Sequence, residues 1–355
     1  MSENEIPTTF QRAGVITDCF GYVSEPYVYL PSSSARIVVA GDWHGNFKWA
    51  RHVIRQTASV KETLESRPGL FFEHHIDVIL HVGDFGIWPG ASGRHYLDEL
   101  EKVCAQYDVT VVVTPGNHED WSQILSHPLE DRGDGWGKVA WFRDHIAVLP
   151  RGHRFALFGE PGKLRTFVSL GGAPSPDLYF RKPYRDWWPE EAITGTDVDL
   201  VVAGGKADIM LCHDTPNPTV PKVAAIISHN PIGFPDNVLE YCAIGRDKLT
   251  TAFNAVQPEL LFHGHYHVRD TAVVTGGVGS AGLSAGAGGD QSTVFTCRIE
   301  ALDMDGKPGN AVVLDLDTLQ VTSLAKEVNT SRYSNRQMPE RYLGNSYSAK
   351  GQGND

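Results

Sequence analysis

Five short segments of the sequence carry metal-binding residue types, four of them beside glycine: GDWHGN (41–46), GDFG (83–86), GNHED (116–120), CHD (212–214) and FHGHYH (262–267). Carboxylate, imidazole and amide oxygen together suit borderline ions such as Mn, Fe, Zn or Co better than Ca or a thiolate-bound zinc. Asp42, His44, Asp84, Asn117, His118, His213, His265 and His267 are too many for one four-coordinate ion. Divided over two ions, the set requires a bridging carboxylate, and two ions roughly 3.5–4 Å apart form a clamp for in-line displacement at phosphorus.

Residues so far apart in the chain meet only if the elements before them deliver them to one place. ARIVVAGD, IDVILHVGD and VTVVVTPGN are β-branched runs that predict buried strands ending at the first three segments. Helical spacing over 46–60 and 94–107 separates them, so crossover units and a buried sheet are expected. ADIMLCHD and ELLFHGHYH predict two further strands, with a helix over 237–256 between them. WFRDHIAVLP, HRFALFGE and RTFVSLGG, and later RDTAVVTG, STVFTCRIEALD and NAVVLDLDTLQVTS, read as antiparallel strands. In open α/β sheets, sites gather where strands end and loops begin.

Composition narrows the classes. The chain has 355 residues, 41% hydrophobic and 21% charged, as an ordinary globular protein does. No run approaches the roughly 18 apolar residues of a membrane span, and the first residues lack the basic and apolar regions of a signal peptide. Five scattered cysteines read as reduced thiols, so the cytoplasm is expected. A net charge of −12 disfavours nucleic acid and anionic membrane as partners. It leaves a small phosphorylated substrate, such as a nucleotide, open, since bound metals reverse the local sign.

D-x-H, GD, GNH, a lone His and GHxH, in this order over residues 42–267, resemble the calcineurin-like metallophosphoesterase superfamily. The resemblance implies an α/β fold, a four-layer α/β/β/α sandwich of two mixed β-sheets flanked by helices, with a dinuclear site at the strand-end loops. It implies two divalent or trivalent ions as cofactors: Asp42, His44 and His267 on the first, Asn117, His213 and His265 on the second, and Asp84 bridging. A metal-bridging hydroxide would then attack a phosphomonoester or phosphodiester in line, with His118 positioning the phosphoryl group or acting as general acid. Glu119 and Asp120 are candidate partners for His118, although acids at that place also suit a helix N-terminus. His263 is expected to support the site from behind.

Two departures define the branch. Ser/Thr protein phosphatases and diadenosine tetraphosphate hydrolases carry GD-x-x-D-R-G at the second motif, whereas here it is GDFGIWPG. Asn46 also stands where those branches have Gln or Cys. The chain is more similar to small bacterial and phage-type phosphoesterases, which carry a GGA-x-S-x-D…R…WW-x-E stretch like residues 171–191. Arg181, Arg185 and Asp177 of that stretch are the candidate substrate contacts, since an arginine fork matches phosphate oxygens. The alternative for the arginines is packing on Trp187 or Trp188. Competing readings of the whole chain are a nuclease of the same superfamily and a non-catalytic scaffold; the acidic balance weighs against the first and the complete ligand set against the second.

The expected organisation is an N-terminal extension (1–34), a catalytic domain (35–325) and a polar C-terminal tail (326–355), with a Gly-rich linker over 276–290.

Overall fold

Successive strand residues point to opposite faces, and here both faces are covered, which is why the strands read as continuous apolar runs. The computed structural model describes residues 27–29, 36–60, 76–159, 163–277 and 294–324. Most of the extension, nearly all of the Gly-rich segment and the tail lie outside the described residues.

In the first sheet β2 (Arg36–Ala40), β3 (Val78–His81), β4 (Thr110–Val113) and β6 (Ile146–Val148) run parallel. β5 (Ala140–Arg143) closes one edge antiparallel to β6. β13 (Ala311–Asp315) and β14 (Val321–Ser323) add antiparallel beyond β2. The second sheet has the order β1 (Tyr27–Tyr29), β7 (Arg154–Gly159), β8 (Lys163–Leu170), β9 (Ile209–Cys212), β10 (Leu260–His263), β12 (Phe295–Ala301), β11 (Asp270–Gly276). β8, β9, β10 and β12 are mutually parallel; β7 and β11 flank them antiparallel. The middle segment forms the antiparallel pairs β5–β6 and β7–β8 that its sequence predicts, and each pair joins its sheet by a parallel contact, β6 to β4 and β8 to β9. β1 falls inside the stretch read as an extension.

Three cores make the four layers. Val38, Ala40 and Ile79 face outward onto Ala50, Val53 and Ile54 of α1 (Phe47–Thr57) and Leu97 and Leu100 of α2 (Gly90–Tyr107). Their strand neighbours Ile37, Val39 and Leu80 face inward onto Phe155, Phe167, Leu211 and Phe262 of the second sheet. On that sheet's outer face Met210, Cys212 and Leu261 pack with Val201 of α4 (Gly195–Ala203), Val223 of α5 (Pro221–His229) and Leu249 and Phe253 of α6 (Asp236–Val256). Truncating a side chain held this way, as in Ile54→Ala, costs about 2–5 kcal/mol. The helices start where side chains cap them: Asn46 accepts from the Trp49 N–H at α1, and Thr194 and Asp197 form a capping box at α4. Among the described residues no helix is long and apolar enough to cross a membrane.

The consequence for function is positional. β2, β3 and β4 of one sheet and β9 and β10 of the other end at the five segments, and the loops that follow them meet.

Candidate metal centre

Asp42, His44, Asp84 and His267 each offer a ligand atom within 4.8 Å of the others. His267 Nε2 stands 3.1 Å from Asp42 Oδ2, and His44 Nε2 stands 3.4 Å from Asp84 Oδ2. The other oxygen of the same carboxylate, Asp84 Oδ1, stands 3.3 Å from His213 Nε2, which is also 2.9 Å from Asn117 Oδ1. The His265 ring lies 5.0 Å from that of His213, and the His265 backbone N–H donates to Asp42 Oδ2 at 3.0 Å. The other five ligand candidates therefore surround Asp84 and Asp42, with Asp84 between two groups of donors.

The backbone that achieves this is strained. His44, Asp84, His265 and His267 all have φ between 45 and 69°, a left-handed conformation that side chains avoid, at about 1–3 kcal/mol each. Gly83 precedes Asp84 at φ 102°, and a Cβ there would lie 2.2 Å from His213 Nδ1. Only glycine lets that loop pass under the imidazole.

The donor chemistry fits a cation. His213 Nδ1 donates to the Val82 carbonyl at 2.8 Å, so in the neutral ring Nε2 aims a lone pair at two oxygen acceptors. That arrangement is repulsive unless a positive charge sits among them. Without a metal the charge must be a proton: burial lowers the His213 pKa, but the charge and hydrogen bond of Asp84 override it and push it up to about 9. His44 behaves alike, since Asp305, Asp84 and Asp42 outweigh burial and hold it well above its ordinary value. Asp84 sits well below the usual carboxylate range because the surrounding imidazoles overcome its burial, and its buried Oδ2 has no hydrogen-bond partner. His265 is driven by burial, then by His213, to about 3, leaving it a neutral ligand.

His118 faces the same cluster from β4. Its N–H donates to Asp84 Oδ1 at 2.9 Å, and its Nε2 is 3.8 Å from Asp84 Oδ2. Burial and the neighbouring Arg181 keep its pKa low despite Asp84. Arg181 Nη2 is 2.8 and 2.9 Å from the two ring nitrogens of His118, and it donates to Asp177 Oδ2 at 2.6 Å. Arg185 is exposed. Trp188 is buried in the first core, and Trp187 donates to Glu191.

Of the two readings of the acids after His118, Asp120 takes the helix N-terminus and Glu119 takes neither. Glu119 accepts from the Phe85, Gly86 and Ile87 N–H groups and so clamps the loop carrying Asp84. Asp120 caps α3 (Trp121–Ser126) by accepting from the Gln123 N–H. Neither reaches the His118 ring, whose neighbour is Arg181. His263 is fully buried below the site, donating Nδ1–H to the Gly264 carbonyl, with no partner for Nε2 among the described residues. Trp43 and Phe85 are core residues. His127, His145, His153 and His229 bind carbonyls or Glu101 away from the centre.

Two residues of the centre went unread in the sequence. Asp305 stands 3.5 Å from His44 Nδ1, accepts from Asn46 Nδ2, and gives its N–H to the Asp42 carbonyl at 2.8 Å. Asn310 accepts from the indoles of Trp43 (3.1 Å) and Trp49 (2.7 Å), and its Nδ2 donates to the Asp42 carbonyl at 3.2 Å. Both lie on the turn between β12 and β13, whose pairing with β2 sets that turn against the first ligand loop. The only local signal, DMDGKPGN, is that of a turn.

A family model described as calcineurin-like phosphoesterase matches residues 35–269. No curated protein matches the chain.

Proposed function

The chain belongs to the calcineurin-like phosphoesterase family, and from that premise we propose that it is a dinuclear, metal-dependent phosphoesterase acting on a small phosphorylated substrate. Asp42, His44 and His267 would hold one ion and Asn117, His213 and His265 the other. The observation that carries this is Asp84, whose Oδ2 faces His44 while its Oδ1 faces His213 and Asn117. When bound, such ions neutralise charge on the oxygens of phosphorus and lower the pKa of an attacking water.

The chain's own groups do the rest. His118, kept neutral by burial and Arg181, can hold a phosphoryl oxygen through a ring N–H; passing a proton to the departing oxygen would require the charged ring, which the same surroundings disfavour. Arg181 supplies the fork that the second motif lacks, at a place fixed by Asp177. A nuclease is the lesser reading, because the chain is acidic overall. The catalytic unit would run from β2 to β14, since the strands after residue 269 complete both sheets. Buried, unpaired Cys104, Cys212, Cys242 and Cys297 suit a reducing compartment such as the cytoplasm.

A metal-quantified preparation assayed on monoester, diester and cyclic-nucleotide substrates tests the reading. Close to two ions per chain, with turnover of at least one small ester, supports it. Metal-free protein that regains no hydrolysis with Mn, Co, Fe or Zn overturns it.

A further inference from the structure

An asparagine ligand has a problem that aspartate does not. Its oxygen can bind a cation and its NH₂ cannot, yet the two ends have nearly the same shape. Something must hold Asn117 with the oxygen toward His213.

Asn117 Nδ2 lies 2.8 Å from Ser175 Oγ, a buried hydroxyl. Ser175 Oγ lies 2.8 Å from Glu191 Oε2, and the Ser175 N–H donates to Glu191 Oε1 at 2.5 Å. Trp187 Nε1 donates to the same Oε1 at 2.9 Å. Glu191 is itself fully buried, and Arg151 pins its backbone by donating to the Glu190 and Glu191 carbonyls at 2.8 and 2.7 Å. Arg151 in turn stacks over Trp121, 4.0 Å from the ring centre, and binds the Gly171 carbonyl at 2.9 Å. The 171–191 excursion is thus anchored at the point where Glu191 enters.

We infer that Glu191 is a positioning residue that sets which end of Asn117 faces the metal centre, acting through Ser175. A serine hydroxyl has one proton. Oε1 of Glu191 already meets two N–H donors, so Oε2 is left to accept the Ser175 proton. With that proton committed, Ser175 Oγ offers only lone pairs to Asn117, and only the NH₂ end of the amide can meet them. The oxygen then turns to His213 Nε2, 2.9 Å away. Once Glu191 is ionised, above about pH 8, the direction of a three-residue chain is fixed at its far end by an acceptor that carries no donor of its own. Ligand orientation by groups behind the ligand is worth about tenfold to hundredfold in metal affinity.

Glu191→Gln reverses the chain. Its amide oxygen must take the place of Oε1, opposite two donors, so its NH₂ faces Ser175. Ser175 then accepts from Gln and turns its own proton toward Asn117, whose amide flips and presents NH₂ to the centre. Two second-site changes relieve this. Asn117→Asp has oxygen at both ends. Ser175→Ala removes the proton that forces the flip without touching a ligand.

The inference rests on Asn117 being a ligand as proposed above, and the test separates the two. Mn²⁺ is titrated calorimetrically into metal-free full-length wild type, E191Q, E191Q/S175A and E191Q/N117D, with thermal melts of each metal-free protein. Wild type binding two ions, E191Q binding the weaker one about tenfold or more worse, and recovery in both double variants supports the relay. E191Q binding both ions as wild type does, or double variants that melt as E191Q does yet recover no affinity, overturns it while leaving the proposed function intact. Wild type that binds fewer than two ions overturns both.

Discussion

Arg181 and Asp177 form an ion pair of 2.6 Å whose guanidinium nitrogen lies beside both ring nitrogens of His118. Under the proposed function the pair would supply the phosphate-binding arginine that the second motif lacks, from a different place in the sequence. Arg181→Ala should therefore lower kcat/KM by about ten- to a hundredfold while metal content is unchanged. Arg185→Ala, on an exposed side chain, should leave both unchanged. Equal losses in the two variants, measured on one preparation, would remove Arg181 from the site.

Chelation should lower the melting temperature, because it leaves the buried carboxylates Asp42 and Asp84 without their cations. Saturating Mn²⁺ should restore it by the amount that ligand linkage requires, about 2.7 kcal/mol at a hundred times the dissociation constant. Asp84→Asn should abolish most of that gain, since it removes a charge facing both groups of donors. A melting temperature blind to chelator and metal would contradict this.

Gly83→Ala combines a φ of 102° with a Cβ placed 2.2 Å from His213 Nδ1. We expect destabilisation above about 1 kcal/mol, together with weakened metal binding, because His213 is the group that must move. Gly90→Ala is the control: its φ is 76°, but a Cβ there meets nothing within 4 Å. Destabilisation without loss of metal in Gly83→Ala would show that the loop yields and the imidazole does not.

Glu191 gives a pH signature. Burial raises its pKa from 4.5 to about 8, against the hydrogen bonds from Ser175 and Trp187. A carboxyl whose folded pKa exceeds its unfolded one contributes stability that is full below about pH 4.5 and lost as pH rises through about 8. Denaturant melts of metal-free wild type and Glu191→Gln should therefore show wild type losing stability relative to the variant across that window. Parallel curves would mean that Glu191 titrates alike in both states.

Much of the cluster was legible because each ligand candidate follows an apolar strand, and all but His213 stand close to glycine. The same rule explains what was missed. Asp305 and Asn310 act across more than 250 residues of sequence, through the antiparallel pairing of β13 with β2, and nothing near them marks that contact. Glu119 and Asp120 were placed beside His118 by adjacency, but the backbone turns there, sending one side chain to the loop after β3 and the other to the start of α3. Arg181 and Arg185 were equivalent in sequence; the short helical turn over Leu178–Phe180 brings only the first back over His118. The antiparallel pairs of the middle segment were legible, but their parallel joins to β4 and β9 were not, because an apolar strand does not name its partner.

The turn holding Asn310 also fixes an order of events during synthesis. β2 and its ligand loop are among the first parts of the described chain to leave the ribosome, and their partner β13 is among the last. Until Asn310 arrives, the Gly41 N–H and the indoles of Trp43 and Trp49 lack their acceptor. A nascent chain stalled after β10 would hold all seven ligand candidates and still lack the frame that aims the first two. If the cluster holds ions as proposed, their capture would be a closing step of translation, and a ribosome-bound intermediate should release metal far more readily than the finished chain.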